Sequence, residues 1–394
     1  MNPFKKFNFN EITAFLLKKQ SVIVVYILLA IITGGKQYVH HSYNNYSIFK
    51  YVYWHTVQFQ NLYNNYTEYL DSNHYGPLFS IFIAPFALLP DGLGIILWNI
   101  TNVSVLLWGI YSLPISLNKR SVIAWICAHE TLTALFSLQF NIALTGIIIL
   151  SFSYLLKKQA LQSAFFIALG TLIKLYGIVG LAFFFFAEHK LKFIISSLAA
   201  FTLLFALPMV LSSPAFVIQS YQDWYNSLVY KNDINASLTS FQDISVMGIA
   251  RRISGNVNLP NLPFLTIGIL LFGLPYLRIK QYKNLAFRLM LLASTLIFTV
   301  IFSSSSESPT YIIAFAGVAI WFIIQPEPKK IWIISLLVFA FLLTSLSPTD
   351  IFPKTAKEFI RLYSLKALPC IIIWLTIIYQ MMKEDFKSYS FADK

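Results

Sequence analysis

Apolar stretches of roughly 16–25 residues recur along the whole chain and alternate with short polar or basic segments. Apolar runs of this length predict membrane-spanning helices. Lys174 interrupts the long run 160–187, so we expect two short helices that meet at this residue. The predicted spanning segments, about twelve in all, are 20–35, 92–116, 121–138, 140–156, the two halves of 160–187, 192–211, 263–279, 286–303, 309–325, 330–346 and 366–382.

One further apolar run, 77–90, is too short to span a membrane and is bounded by Pro77 and Pro90. Short apolar helices of this kind lie in the membrane interface or re-enter from one side. The alternation of sides along the chain is consistent only if this run does not cross. We therefore predict an interfacial or re-entrant helix on the outer face.

The basic clusters give the orientation, because short cytosolic loops of membrane proteins are enriched in Lys and Arg. Pairs such as Lys157 with Lys158 and Lys190 with Lys192 are placed in the cytosol. We expect a multi-pass protein of the cytoplasmic membrane with both termini cytosolic and with residues 1–394 in a single membrane domain. Three long outer loops are predicted, at about 36–91, 212–262 and 347–365.

Four lysines precede the first apolar run: Lys5, Lys6, Lys18 and Lys19. Signal peptides begin with positive charge and end at a cleavage site made of small residues. No such site follows this run, so we predict that the first helix is an uncleaved signal anchor.

The composition excludes a soluble globular protein. Hydrophobic residues make up 57% of the chain and charged residues 11%, against about 45–50% and about 25% in globular proteins. The net charge of +13 would suggest nucleic acid in a soluble protein. In a membrane protein it follows from the basic cytosolic loops, so no nucleic-acid partner is expected. The fold class predicted is an all-α, polytopic membrane protein.

The first predicted outer loop is dense in Tyr, Asn, Gln and His and poor in net charge. Aromatic faces stack on sugar rings, and amide groups form directed hydrogen bonds with hydroxyls. An aromatic belt at the membrane interface would also explain the tyrosines, but it does not explain the amide residues. Most acidic residues also fall on the predicted outer side, which places the chemistry there.

Three groups of ionisable residues have both a functional and a structural interpretation. Lys174 lies inside an apolar run, where a positive charge is costly unless it meets a lipid-borne phosphate; the alternative is a lysine that snorkels from a helix end. Arg251 and Arg252 are suited to bind phosphate; the alternative is that they belong to an exposed amphipathic helix. Glu130, beside His129, is suited to relay protons or contact substrate, or forms a local polar pair.

The SESPTY segment places Ser308 and Tyr311 at the mouth of a late helix, with Glu307 beside them. Ser308 and Pro309 are equally typical of an ordinary helix start. No phosphate-binding glycine loop, nucleophile elbow or Cys/His ligand spacing occurs in the chain. This disfavours a nucleotide-dependent enzyme, an ATP-driven transporter and a metal site.

Several short motifs then occur in a characteristic order. They are NLY at 61–63, HYGPLFSIFIAPFALLP, Gln139 with Asn141, Lys174 with Tyr176, Tyr221 with Trp224, Ser237 with Leu238, and Ser308 with Pro309. In this order they resemble the polyprenyl-phosphate-mannose-dependent mannosyltransferases of glycosyltransferase family 87, in the GT-C class of membrane glycosyltransferases. The resemblance extends over roughly residues 20–325.

The resemblance implies transfer of a hexose, mannose by analogy, from a polyprenyl-phosphate sugar to a lipid or glycan acceptor at the outer face. It implies a single inverting displacement, no cofactor and no metal, and we expect a monomer surrounded by membrane lipids. Lys174, Arg251 and Arg252 are then expected to bind the donor's lipid phosphate. The expected substrate-binding residues are His74, Tyr75, Gln139, Asn141, Tyr176, Trp224, Ser237, Ser308 and Tyr311.

The chain departs from the family at the catalytic base. The Asp expected there aligns with Asn45, whose amide cannot accept the acceptor's proton. Asp71 and Glu68, later in the same loop, are the candidate bases, and Asp71 is preferred. His74 is a further candidate, because an ordinary imidazole titrates near neutral pH.

Two other functions are compatible with the composition. A transporter or flippase of lipid-linked glycans would show related halves with broken helices at matching positions. No such halves are visible, since the outer loops are unequal in length and placement. A non-catalytic membrane protein is the other alternative, and it requires the carboxylates of the first outer loop to be dispensable.

Overall fold

The computed structural model describes residues 9–240 and 242–389, which form helices and no strands. Lys5, Lys6 and both chain ends lie outside the described residues, as does the predicted cytosolic placement of the termini. The helices of the described residues are α1 (Phe9–Leu16), α2 (Lys19–Val39), α3 (Asn44–Val57), α4 (Phe79–Ala87), α5 (Asp91–Ser112), α6 (Leu117–Phe136), α7 (Asn141–Leu156), α8 (Ala160–Ile173), α9 (Lys190–Ala206), α10 (Pro214–Asn235), α11 (Val246–Ser254), α12 (Leu262–Gly273), α13 (Leu285–Ile301), α14 (Tyr311–Ile324), α15 (Ile331–Phe339), α16 (Lys354–Leu362) and α17 (Leu368–Lys383).

Four helical segments of the described chain are long and apolar enough to cross a membrane: Lys19–Val39, Asp91–Ser112, Lys190–Val210 and Leu365–Lys383. Seven shorter apolar segments, of 10–17 residues, accompany them. The all-helical prediction is confirmed for the described residues. A count of about twelve spanning helices stays a prediction.

The break predicted at Lys174 is confirmed. Helix α8 ends at Ile173, and a tighter 3₁₀ helix runs from Leu175 to Phe186. Between them Lys174 adopts extended backbone angles, with φ −142° and ψ 120°. A polar residue therefore marks the point where the apolar run changes from one helix type to another.

The segments predicted as outer loops are largely helical. The first contains α3 and the short helix α4, which corresponds to the predicted interfacial run. The second contains α10. Ser213 caps the start of this helix, since its side chain accepts a hydrogen bond from the Phe216 backbone N–H, and Pro214 occupies the first turn. The third contains α16, which has no buried residues. Sequence reasoning missed α3 and α10 because neither shows a long apolar run.

Small residues let the central helices approach closely. A Cβ at Gly109 of α5 would lie 2.7 Å from the Gly146 carbonyl oxygen of α7, which is below any real contact distance. Backbone contact of this kind is typical of helix pairs in membranes. It places α7 in the middle of the bundle, where its first residue, Asn141, is buried and lines neither of the two cavities described next.

Candidate active site

A cavity of about 370 Å³ lies where α3, α10, the segment 58–78 and the helix break at Lys174 meet. The structure brings seven of the predicted site residues to its wall from four distant parts of the chain. Side chains not singled out from the sequence line it too, among them Lys231, Gln242, Ser303 and Ser305. The predicted residues at the wall are Asn45, Asp71, His74, Tyr75, Gln139, Lys174 and Tyr176.

A chain of side-chain hydrogen bonds connects Lys174 to Glu307. Lys174 Nζ donates to Asn141 Oδ1 at 2.8 Å, and Asn141 Nδ2 donates to Gln139 Oε1 at 2.5 Å. Gln139 Nε2 then donates to Glu307 Oε2 at 3.1 Å. A half-buried cation and a carboxylate are thus linked through two amides, and each amide is held in one orientation.

Two tyrosine rings flank the Lys174 ammonium. Its Nζ lies 5.5 Å from the centre of the Tyr75 ring and 5.1 Å from that of Tyr176, within cation–π range. The Tyr176 hydroxyl shares a 2.6 Å hydrogen bond with Ser303 Oγ. The cavity therefore combines aromatic faces, amides and two half-buried lysines, Lys174 and Lys231.

Close backbone contact holds the segment 58–78 against α8. The Gly76 N–H donates to the Ile173 carbonyl at 2.9 Å, and a Cβ at Gly76 would lie 2.1 Å from the Leu172 carbonyl oxygen. Any other residue would push the segment off α8. Gly76 thus sets the distance between Tyr75 and Lys174.

Helix α10 holds the same segment from the other side. Trp224 Nε1 donates to the His74 carbonyl at 2.9 Å, and His74 Nδ1 shares a 2.8 Å hydrogen bond with Ser227 Oγ. Lys231 Nζ lies 3.3 Å from Asp71 Oδ2. Trp224 is buried and fixes the backbone of the segment, although it does not line the cavity itself.

The three predicted base positions differ in their surroundings. Asn45 lines the cavity, and its Nδ2 donates to the Ser137 carbonyl at 2.8 Å. Asp71 also lines the cavity, but its side chain is 57% exposed and paired with Lys231. Glu68 is exposed and lines neither this cavity nor the second cavity described below. Of these two carboxylates, Asp71 lies at the cavity wall and Glu68 does not.

His74 is held in its neutral form at neutral pH. Burial, together with the neighbouring Lys231 and despite the nearby Asp71, lowers the pKa of His74 to about 4. Its Nε2 has no hydrogen-bond partner within the described residues and lies 3.9 Å from Asp71 Oδ1. A histidine with so low a pKa is a weak base at neutral pH.

A second cavity, of about 490 Å³, shares Gln242 and Glu307 with the first. Its wall carries Arg252, Lys357, Arg361 and Lys366. Glu307 is its one acidic residue among the described side chains. The predicted site residue Ser308 lines this second cavity, together with Pro309.

The two predicted arginines have different environments. Arg251 is buried, and its Nη1 lies 2.5 Å from Asp243 Oδ2 in an ion pair. It lines neither cavity. Arg252 lines the second cavity, and its guanidinium donates to the carbonyls of Ser240, Gln242 and Asp243. A helix with one buried and one exposed side does form here, as the structural alternative expects, but Arg251 lies on its buried side.

Glu130 forms a buried ion pair with Lys366. Lys366 Nζ lies 3.2 Å from Glu130 Oε1 and also donates to Ser308 Oγ at 3.0 Å. His129 instead bonds Ser345 Oγ through Nδ1 at 2.8 Å. Glu130 is thus paired inside the protein, but its partner is remote in sequence, so the expectation of a local partner is wrong.

The remaining predicted residues lie away from both cavities. The Tyr311 hydroxyl donates to the Ile244 carbonyl at 2.7 Å inside the protein. Ser237 is exposed and shares a 3.0 Å hydrogen bond with Thr239. Neither lines a cavity wall, so direct substrate contact for these two stays a prediction that the geometry does not support.

Comparison with known proteins identifies the family to which the chain belongs. A model of glycosyltransferase family 87 matches residues 73–304, more than half of the 394-residue chain. The matched range includes Gln139, Asn141 and Lys174 and ends three residues before Glu307. Asn45 and Asp71 precede it. No curated protein matches the chain.

Proposed function

Because the chain belongs to glycosyltransferase family 87, we propose that it is a membrane enzyme that takes a hexose from a polyprenyl-phosphate sugar. The acceptor would be a lipid or glycan hydroxyl at the outer face of the cytoplasmic membrane. The apolar helices and the family together indicate a membrane protein. Mannose, as the transferred hexose, rests on the resemblance alone.

The observation that carries the proposal is the environment of Lys174. Its ammonium lies at the cavity wall, in an interruption of an apolar helical run, and has one amide oxygen as its hydrogen-bond acceptor. Ammonium groups have three donors, so two remain for an anionic ligand. A lipid phosphate would offset the cost of this charge in an apolar region.

The lining also suits the other parts of such a donor. The rings of Tyr75 and Tyr176 offer faces for a hexose, and Gln139 and Asn45 offer amides for its hydroxyls. Leu175 lines the cavity and is 47% exposed at the protein surface. An apolar lipid tail would leave the cavity past this side chain.

The acceptor would approach through the second cavity, which meets the first at Gln242 and Glu307. Its hydroxyl oxygen would attack the anomeric carbon from the side opposite the phosphate, so configuration inverts. Lys174 would stabilise the negative charge on the departing phosphate. The reaction needs no cofactor, because the donor carries its own leaving group.

A transporter or flippase of lipid-linked glycans is the second candidate. The cavity chemistry alone would suit lipid-phosphate binding without transfer. The family match favours transfer, since it is a glycosyltransferase model that covers the Lys174 region.

The test is transfer by the purified protein from radiolabelled polyprenyl-phosphate mannose and polyprenyl-phosphate glucose, with a lipid and glycan extract as acceptor. We expect release of polyprenyl phosphate together with a labelled product. A folded protein that binds the donor and releases no polyprenyl phosphate would contradict the proposal and favour transport.

A further inference from the structure

The position of Glu307 identifies a group for the role that Asn45 cannot fill. We propose that Glu307 is the catalytic base and removes the proton from the acceptor hydroxyl. The inference rests on the proposed function and goes beyond it, because neither the resemblance nor the family match assigns this residue.

Glu307 lies at the wall that the two cavities share. In a single displacement the base must reach the acceptor hydroxyl while that oxygen approaches the anomeric carbon. A group between the donor cavity and the acceptor cavity satisfies this requirement. Among the carboxylates of the described residues, Glu307 alone lines both cavities.

The Glu307 carboxylate is held in place and still has capacity to accept a proton. One oxygen accepts from Gln139 Nε2 at 3.1 Å, and the side chain also caps the first turn of the 3₁₀ helix Ser308–Thr310. A carboxylate offers about four lone-pair sites, so a substrate hydroxyl can still be bound. The residue is half-buried, which limits its exchange with water.

The alternatives are less well placed. Asp71 is 57% exposed and forms an ion pair with Lys231. The pKa of His74 is low because the ring is buried and because its protonation would add a positive charge beside Lys231 and Lys174.

The bond changes balance without a further reactant. The acceptor oxygen forms a bond to the anomeric carbon, and the bond from that carbon to the phosphate oxygen breaks. The electron pair leaves with the polyprenyl phosphate. The acceptor proton moves to a Glu307 carboxylate oxygen, from which solvent removes it after product release.

The experiment compares Glu307→Gln, Glu307→Asp and Asp71→Asn with the wild type in the transfer assay, with kcat, donor KM and the pH profile of kcat measured for each. Gln keeps the size of Glu and one acceptor oxygen for the Gln139 contact, so we expect it to fold. Glu188→Gln, on an exposed carboxylate that lines neither of these two cavities, is the matched control and should match the wild type.

Loss of a general base typically costs about 10²–10⁴-fold in rate. We expect Glu307→Gln to lose kcat by that factor, to keep the donor KM within about threefold, and to lose the acid limb of the pH profile. Glu307→Asp should keep that limb at a reduced rate. Asp71→Asn should lose less than about tenfold.

Glu307→Gln activity within about fivefold of wild type would overturn the inference, as would a loss confined to donor affinity. If the wild type itself transfers nothing from either donor, the proposed function fails first. The two failures are therefore distinguishable.

Discussion

Lys174 Nζ donates to Asn141 Oδ1 at 2.8 Å, joining two residues that each begin or interrupt an apolar helix. An amide oxygen neutralises no charge, so the ammonium is only partly compensated by the protein. Because the contact orients Asn141, it also orients Gln139 and through it Glu307. The charged Lys174 side chain thereby helps to set the position of the Glu307 carboxylate.

Replacement of Lys174 tests its role as a phosphate ligand. Lys174→Ala should lower kcat/KM for the donor by roughly 30-fold or more, because loss of a buried charge partner costs about 2–5 kcal/mol. Lys174→Arg keeps the charge and should lose less. Transfer kinetics check this, with the exposed Lys158→Ala as control. Equal losses in the two Lys174 variants would favour snorkelling instead.

The orientation of the chain can be tested by cysteine labelling in intact cells. The native Cys127 and Cys370 are buried, so the background is low. A cysteine at the exposed Thr67, near Asp71, should react with a membrane-impermeant thiol reagent. A cysteine at Lys157 should react only after permeabilisation. The reverse pattern would overturn the outer-face assignment.

The pair of Arg251 with Asp243 is expected to contribute to stability rather than to donor binding. Arg251→Met leaves a buried carboxylate unpaired, which typically costs about 3–5 kcal/mol. Unfolding in detergent should show this loss, whereas Lys158→Met, on an exposed pair, should cause no measurable change. A stable Arg251→Met protein with a raised donor KM would instead favour a phosphate ligand.

His74 predicts a pH dependence of stability. Its folded pKa, about 4, lies below the ordinary 6.5, so the unfolded chain binds more protons between these values. The contribution of His74 to the free energy of unfolding is then fully present above pH 6.5 and is lost as the pH drops toward 4. The loss amounts to up to about 3 kcal/mol. Thermal unfolding of wild type and His74→Gln across this range checks it. Identical slopes would contradict the assignment.

The pattern of apolar runs predicts a large part of the fold. The helix break at Lys174 and the short helix α4 follow from a charged residue in an apolar run and from two bounding prolines. Helices α3 and α10 do not follow, because their stability comes from packing against other segments rather than from their own periodicity.

The site is predictable residue by residue but not as an arrangement. Lys174, Gln139 and Asn141 stand out because polar groups are costly among apolar residues. The pairing of Glu130 with Lys366 joins residues 236 positions apart, which one sequence cannot reveal. The same holds for Glu307, since its position between two cavities depends on long-range packing.

A structure of the protein with a non-transferable phosphonate analogue of a polyprenyl-phosphate sugar would test the donor site at Lys174 most directly. We expect the phosphonate on Lys174 and the sugar against Tyr75 and Tyr176, with its anomeric carbon facing Glu307. A phosphonate bound at Arg252 in the second cavity, with the first cavity empty of the analogue, would contradict it.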